Sequence, residues 1–380
     1  YSPGLKTSAA HYGVEFWPTR NLALRMGSDA NDLTAGVGIR AAGLEFDYAY
    51  HLYAGVAENT THFFSISYRG DIPKRELKIG IKTHADKTII YNNRIKVSGE
   101  VAVVGGEALG PTPPLTVKIG DVNAAVTPDN HFTAEVSADG PGKKLILVEA
   151  ENTAGDRTIQ KIRLLKLASF PDVPASYWAR KAIEDFSTLG LIEGYPDGNF
   201  KPEANLTRAE LAYLLVRAKK SKNLSAAYGK TFSDVPADFW AASYLEEAER
   251  LGVIKGFTVK RKYQVKNGRQ VKYETRKERV FRPNERVKMI DAVAILARFD
   301  ELPIETFINA TPYADVPSSH WAARSVVAAK SAGFLSYITG KNLNPNKPIS
   351  RAEAVEMASK TSVIENLTND LYDWQKGFRQ

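Results

Sequence analysis

Cysteine is absent from this chain of 380 residues. That excludes disulfides, thiolate-held zinc or iron–sulfur sites, c-type haem attachment and a cysteine nucleophile. Histidine is scarce: His11, His51, His62, His84, His131 and His320 are scattered with no ligand-like spacing. No apolar run approaches the roughly 18 residues of a membrane helix. No glycine-rich phosphate loop precedes a helical pattern, since Gly105-Gly106 falls among strand-like segments. No signal peptide is visible, and the chain opens on Tyr1 rather than Met, as a processed chain or a piece of a longer one would. We therefore expect no catalytic residue, no metal site, no cofactor and no enzymatic activity in these residues. What is present is ordinary globular composition, 43% hydrophobic and 25% charged, with a net charge of +8 that favours an acidic partner surface. The length suits two to four domains. No nucleic-acid-binding motif accompanies the charge, so nucleic acid is not an expected partner.

Residues 1–72 alternate strictly. Tyr12, Val14 and Phe16 are separated by Gly13 and Glu15. Leu33, Ala35, Val37 and Ile39 alternate with Thr34, Gly36 and Gly38. Leu44, Phe46, Tyr48 and Tyr50 alternate with Glu45, Asp47 and Ala49. Leu22–Met26 and Phe64–Tyr68 follow the same rule. Period two over five segments predicts antiparallel strands with one apolar face and one small or charged face. A half-buried sheet in a soluble domain and a lipid-facing barrel segment both fit that pattern. The run Gly36–Arg69, ending in His62-Phe63-Phe64-Ser65-Ile66-Ser67-Tyr68-Arg69, resembles the end of the PorV-like outer-membrane β-barrel family. That resemblance implies outer-membrane lipid as a partner for residues 1–72. Five strands are too few to close a barrel, for which about eight is the minimum.

From 73 to 167 short β-prone runs alternate with turn signals such as Asn92-Asn93, Pro128-Asp129-Asn130 and Asp139-Gly140-Pro141-Gly142. Their spacing predicts a β-sandwich. The order Val97-Ser98-Gly99, Val117–Val126, His131-Phe132 and Leu145–Asn152 resembles bacterial Ig-like domains, which implies a spacer.

The rest of the chain repeats itself. Phe170-Pro171-Asp172-Val173-Pro174, Phe232-Ser233-Asp234-Val235-Pro236 and Tyr313-Ala314-Asp315-Val316-Pro317 each lead to Trp-Ala, at Trp178, Trp240 and Trp321. A helical pattern follows each and stops at Gly190, Gly252 or Gly333. A second helix is announced by Thr207-Arg208-Ala209-Glu210 and Ser350-Arg351-Ala352-Glu353, whose Thr or Ser with Glu three residues on is a capping box. Trp178 to Glu210 spans 32 positions, as does Trp321 to Glu353, whereas Trp240 to Asp291 spans 51, so 19 residues are inserted in the middle repeat.

These elements, with Gly194-Tyr195-Pro196-Asp197-Gly198-Asn199-Phe200, resemble the S-layer homology (SLH) domain family, here as a triplet over about half the chain. The resemblance implies an all-α pseudo-threefold bundle, attachment to the bacterial cell wall, and peptidoglycan or a wall-linked anionic polysaccharide, in some cases pyruvylated, as ligand. Arginine pairs a carboxylate or phosphate through two charge-assisted hydrogen bonds, and a helix N-terminus adds partial positive charge. Tryptophan offers a flat apolar face to a sugar, and aspartate accepts from hydroxyls. The expected ligand residues are Arg208, Arg351, Trp178, Trp240, Trp321, Asp172, Asp234, Asp315, Gly194, Thr207, Ser350 and Lys288. A core-anchor role for the tryptophans and a helix-positioning role for the aspartates stand beside that reading.

The middle repeat departs from the pattern, with Lys288-Met289-Ile290-Asp291 where the others carry the arginine. The third has Tyr337 where the first has Gly194. The inserted stretch holds Lys266-Asn267-Gly268-Arg269 between β-prone runs, a hairpin signal. From Lys255 to Arg279 there are ten cations and two glutamates, a net of +8. A solvated edge ribbon and an extra contact to an anionic polymer both fit it.

The expected fold is thus multidomain. A partial barrel-like antiparallel sheet occupies 1–72, a β-sandwich 73–167, and an SLH bundle the remainder. The bundle comprises repeats at 168–220, 230–300 (with the hairpin at 257–280) and 311–361, followed by a tail at 362–380. The expected role is tethering an outer membrane to the wall from the cell envelope. The rival is a wall hydrolase or S-layer surface protein whose other domain lies upstream of this chain.

Overall fold

The computed structural model describes residues 11–19, 21–29, 32–41, 44–53, 60–68, 76–105, 114–219, 231–267 and 270–378. The chain divides into two compact units. One holds the described residues of 1–80, 101–116 and 150–158, and the other those of 81–100, 117–149 and 159–380.

The first unit is dominated by an antiparallel meander of β1 (His11–Thr19), β2 (Leu22–Asp29), β3 (Asp32–Ala41), β4 (Leu44–Leu52) and β5 (Thr60–Tyr68), paired in sequence order. The register carries one apolar row straight across the sheet: Phe16 faces Leu24, Leu24 faces Val37, Val37 faces Tyr48 and Tyr48 faces Phe64. Among the described residues this face is largely exposed. Tyr12, Met26, Ile66 and Tyr68 are exposed, and Phe64 is 77% exposed. The opposite face holds small residues and an ion network. Arg25 pairs with Asp47 and with Glu15 at 3.1 Å, and Arg40 with Glu45 at 2.9 Å. A Cβ on Gly38 would lie 2.7 Å from Asp47 Oδ1, so glycine leaves the room this network occupies. The five strands form an open sheet, and β6 (Glu76–Ile81) comes next in the chain. Arg69 of the anticipated last strand, and the joint anticipated near 73, lie outside the described residues.

The second unit contains most of two further sheets. One runs β10 (Val122–Asn123), β9 (Leu115–Ile119), β13 (Gly142–Asn152), β14 (Arg157–Lys166), β7 (Thr88–Ile90). The other contains β11 (Ala125–Val126), β12 (His131–Ser137) and β8 (Arg94–Val104) in that order. Alternate residues are buried, among them Ile95 and Val97, Phe132 and Val136, Ile146 and Val148, and Ile162 and Leu164. That alternation is the pattern of sheets with one face turned to a shared core.

Helices follow in pairs: α1 (Arg180–Thr188) with α2 (Arg208–Ala218), α3 (Ala242–Arg250) with α4 (Met289–Phe299), and α5 (Ala323–Ser331) with α6 (Arg351–Ser359). Each first helix ends at the anticipated glycine in a left-handed conformation, with φ of 69° at Gly190, 68° at Gly252 and 81° at Gly333. The next residue closes the turn, as Leu191 N–H donates to Phe186 O at 2.8 Å. One apolar core runs through all three pairs, from Phe186 and Leu211 through Leu245 and Val293 to Val326 and Val355. The connecting strands ahead of the second helices form a closed ring of backbone bonds. Leu206 N–H donates to Ile349 O at 3.1 Å, Ile349 N–H to Val287 O at 2.9 Å, and Val287 N–H to Leu206 O at 3.0 Å. The three segments therefore share one centre.

The anticipated tail instead contains helix α7 (Ser362–Tyr372), because Ile364, Leu367 and Leu371 recur at helical spacing and are buried. It packs Leu371 against Leu165 and Leu167 at the end of β14. Beyond it, Lys143 Nζ donates to the carbonyls of Asp370 at 2.8 Å and Lys376 at 2.6 Å, and also to that of Asp373. Arg163 donates to Trp374 O at 2.8 Å while pairing with Asp86, whose carboxyl it holds below the usual range. One lysine thus caps the carbonyl end of α7 from strand β13. Replacing Lys143 with Met should lower the stability of this unit by roughly 1–2 kcal/mol and speed amide exchange over 367–378. Unchanged exchange there would show that the socket does not hold the helix.

Candidate functional site

The three aspartates repeat one device. Asp172 accepts from Phe200 N–H at 2.9 Å and Lys201 N–H at 2.7 Å, Asp234 from Phe281 and Arg282 N–H at 2.7 Å each, and Asp315 from Leu343 and Asn344 N–H at 2.8 and 2.7 Å. The second donor in each pair is a non-glycine residue in the left-handed region, with φ of 56° at Lys201, 60° at Arg282 and 55° at Asn344. That conformation is disfavoured for L-residues, and the doubly bonded carboxylate holds it. Both oxygens of each aspartate are thereby engaged by backbone.

The arginines at the heads of the second helices are buried, and each reaches into the preceding loop of another repeat. Arg351 Nε donates to Phe200 O at 3.0 Å and Nη2 to Glu193 O at 2.6 Å, with its guanidinium over the rings of Phe200 and Tyr195. Arg208 makes the equivalent bonds to Phe281 O at 2.9 Å and Lys255 O at 3.2 Å, over Phe257 and Phe281. Burial lowers both pKa values, yet a guanidinium remains charged. No carboxylate forms an ion pair with either among the described residues. The third position is Met289, against which Tyr337 Oη lies 3.9 Å from the sulfur. So Arg351 serves the loop of the first repeat, Arg208 that of the second and Met289 that of the third.

The backbone amides at the heads of the second helices are engaged by carbonyls of neighbouring repeats. Arg208 and Ala209 N–H donate to Glu285 and Pro283 carbonyls, Met289 and Ile290 to Lys347 and Pro345, and Arg351 and Ala352 to Ala204 and Pro202, all within 2.8–3.1 Å. Thr207 and Ser350 are side-chain N-caps in complete capping boxes with Glu210 and Glu353. Lys288 caps nothing with its side chain and lies 3.4 Å from Asn346 Oδ1. Gly194 packs so close to Phe170 that a Cβ would fall 2.5 Å from its ring.

The tryptophans are not core anchors. Trp178, Trp240 and Trp321 are 48%, 56% and 65% exposed. Trp240 belongs to a cleft of about 290 Å³ that also takes in Ile192, Glu193, Glu210, Tyr213 and Arg351. Tyr213 meets Trp240 edge-on at 5.6 Å and Tyr244 at 4.6 Å. This first cleft thus assembles an exposed indole, a phenol, two carboxylates and a buried cation from three different repeats. The rotated position around Arg208 carries Trp321, Lys255 and Asp291, with Ala294 standing where the first has Tyr213. Burial raises the Asp291 carboxyl above its usual range, against the opposing charge of Arg208. The third position is filled by the chain itself. Tyr337 replaces glycine, is pushed up in pKa by burial, and stacks on Trp178 at 5.0 Å. Tyr213 escaped the motif reading, although its place three residues after Glu210 puts both on one helix face.

Comparison with known proteins fits the repeat geometry. The S-layer homology domain model matches residues 169–212 and 312–355, within the first and third repeats. The middle one, with its insertion and its Met289, lies outside the matched ranges. The chain is 26% identical over 196 residues to S-layer protein sap of Bacillus anthracis, covering 51% of this chain and 21% of that protein. It is 27% identical over 218 residues to the cellulosome-anchoring protein of Acetivibrio thermocellus, covering 57% and 41%. Exoglucanase XynX of Acetivibrio thermocellus is 28% identical over 195 residues, covering 50% and 16%. The chain therefore spans less than half the length of each of these relatives.

Replacing Asp234 with Ala frees two backbone donors and the strain at Arg282, and should cost about 2–3 kcal/mol. Chemical denaturation of the full chain measures this. A loss below about 0.5 kcal/mol would show that the carboxylate does not hold the loop.

Proposed function

We propose that this chain is the wall-anchoring portion of a bacterial cell-envelope protein, and that its first and second clefts bind anionic polysaccharide linked to peptidoglycan. The observation that carries the reading is a buried guanidinium that makes no direct ion pair among the described residues, in a cleft walled by an exposed indole. A carboxylate or phosphate on a sugar supplies a direct ion pair, while the ring stacks on Trp240 or Trp321. Of the arginine donors, Nε and Nη2 are engaged by carbonyls, and Nη1 has no partner among the described residues. That nitrogen is the proposed anion contact, and a pyruvyl ketal is a fitting anion. Glu193 and Glu210 accept from sugar hydroxyls. Asp172, Asp234, Asp315, Thr207, Ser350 and Gly194 act behind this surface by shaping the loops. The SLH matches and the names of the S-layer and cellulosome-anchoring relatives support the same function. An exoglucanase among the relatives supports the rival in which such a module serves an enzyme whose catalytic domain lies elsewhere in the parent protein.

The first unit supports a second component. Its continuous exposed apolar face opposite a small and charged face suits strands with lipid on one side and a wet lumen on the other. We infer that residues 1–72 contribute to an outer-membrane barrel, with 73–167 as an Ig-like spacer. A soluble, self-associating surface domain is the alternative.

Two measurements test these readings. In co-sedimentation of the full chain with purified wall sacculi, Trp240→Ala should weaken binding about tenfold. Trp178→Ala, already stacked on Tyr337, should change it by less than about twofold. Equal losses from both, or none from either, would refute the two-cleft reading. Acid removal of pyruvyl groups from the sacculi should reduce binding, and intact binding would point to modified peptidoglycan. The parent protein should also fractionate with outer membranes and require detergent for release. Recovery in the soluble periplasmic fraction would remove the membrane component.

A further inference from the structure

The insertion in the middle repeat is a regular two-stranded ribbon, β15 (Phe257–Asn267) paired antiparallel with β16 (Gln270–Val280). The turn residues Gly268 and Arg269 lie outside the described residues. Its register sorts charge by face. Glu274 is opposite Tyr263 and Glu278 opposite Val259, so both carboxylates share the face of Val259, Tyr263 and Val265, which is partly covered. There Arg261 and Arg276 pair with them at 3.6 and 3.1 Å. The other face presents Lys260 directly opposite Lys277, with Lys262 opposite Thr275 and Gln264 opposite Tyr273. All six are exposed, Tyr273 at 71%. None of the three lysines has an acidic partner among the described residues. Arg279, on the same face nearer the base, is tied to Glu249 and lies over Phe232.

Like charges placed directly opposite on a ribbon repel and cost stability. Lysines on an exposed edge deter strand-to-strand association, but that role does not require both glutamates to lie on the opposite face. The ribbon is also rooted in the second cleft: Lys255 O and Phe281 O, at its two ends, are the acceptors of Arg208, and Phe257 at its base lies against Arg208 and Arg282. The cationic face is therefore an outgrowth of the loop that forms the second cleft.

We propose that the face of Lys260, Lys262, Lys277 and Tyr273 is a second binding surface, distinct from the Arg–Trp clefts, for a stretch of linear anionic polysaccharide. It rests on the wall-anchoring reading for the class of partner. Lysines about 7 Å apart along a strand and about 5 Å across the ribbon match repeated charges on a polymer better than one compact anion. Tyr273 supplies the ring face for a sugar.

The test uses the full chain, with polygalacturonate as a carboxylated linear polymer, neutral dextran, and vesicles of phosphatidylethanolamine and phosphatidylglycerol in equal parts. The parent should bind polygalacturonate in a salt-sensitive manner and should not bind dextran. The triple variant Lys260→Gln/Lys262→Gln/Lys277→Gln should lose about tenfold in affinity for polygalacturonate, with its thermal midpoint unchanged or raised. Tyr273→Ala should weaken binding without changing the salt dependence. The proposal is overturned if the parent does not bind polygalacturonate, if the triple variant binds it like the parent, or if the loss is confined to vesicles, which would assign the face to a membrane surface. Failure here leaves the effect of Trp240→Ala on sacculi intact, so the ribbon and the clefts are judged separately.

Discussion

Everything in the helical bundle depends on three backbone hydrogen bonds that run in a circle, from residue 206 to 349 to 287 and back to 206. Each repeat alone would leave the amides at the head of its second helix without partners, as every helix N-terminus does. Here the carbonyls of a neighbouring repeat supply them, at 2.8–3.1 Å in all three cases. A buried amide without a partner is costly, so no repeat can leave the ring without stranding donors in the next. The same exchange sets the side chains. Arg351 and Arg208 reach carbonyls of loops in other repeats, and those loops hold their shape through the aspartate buckles.

Around this ring the three cleft positions differ by coordinated replacements. Where the loop has glycine, at 194 and 256, the reaching side chain is arginine; where it has Tyr337, the reaching side chain is Met289. The tyrosine ring in that place stacks on Trp178 and lies against Met289 rather than a guanidinium. The one change makes sense of the other. Arginine thus occupies two of the three equivalent positions, and at the first of them Tyr213 lies beside Trp240.

Much of this was legible in the sequence because it is written in local spacing. The glycine stops at 190, 252 and 333, the capping boxes at Thr207 and Ser350, and the ribbon around Asn267 all involve residues a few positions apart, and each formed as expected. The alternation across residues 12–68 likewise predicted five strands with one apolar face. What escaped is non-local. The acceptors of Arg351 lie more than 150 positions away, so the sequence shows the charge but not that carbonyls embrace it. The sequence left the aspartates between ligand contact and a positioning role, because the amides that engage them lie 28 and 29 positions on at Asp172 and 47 and 48 at Asp234. Helix α7 was missed because its short apolar stripe of Ile364, Leu367 and Leu371 carries no repeat motif.

The reach of Arg351 into the loop at Glu193 has a consequence in time. These two residues are 158 positions apart. A chain growing from its N-terminus, or threading through a translocon in that order, carries Trp240 and Tyr213 long before the arginine that completes their cleft. The first cleft therefore comes into being only when the last repeat has emerged and swung back onto the first. The cleft is thus a property of the three repeats together, and no two of them hold it.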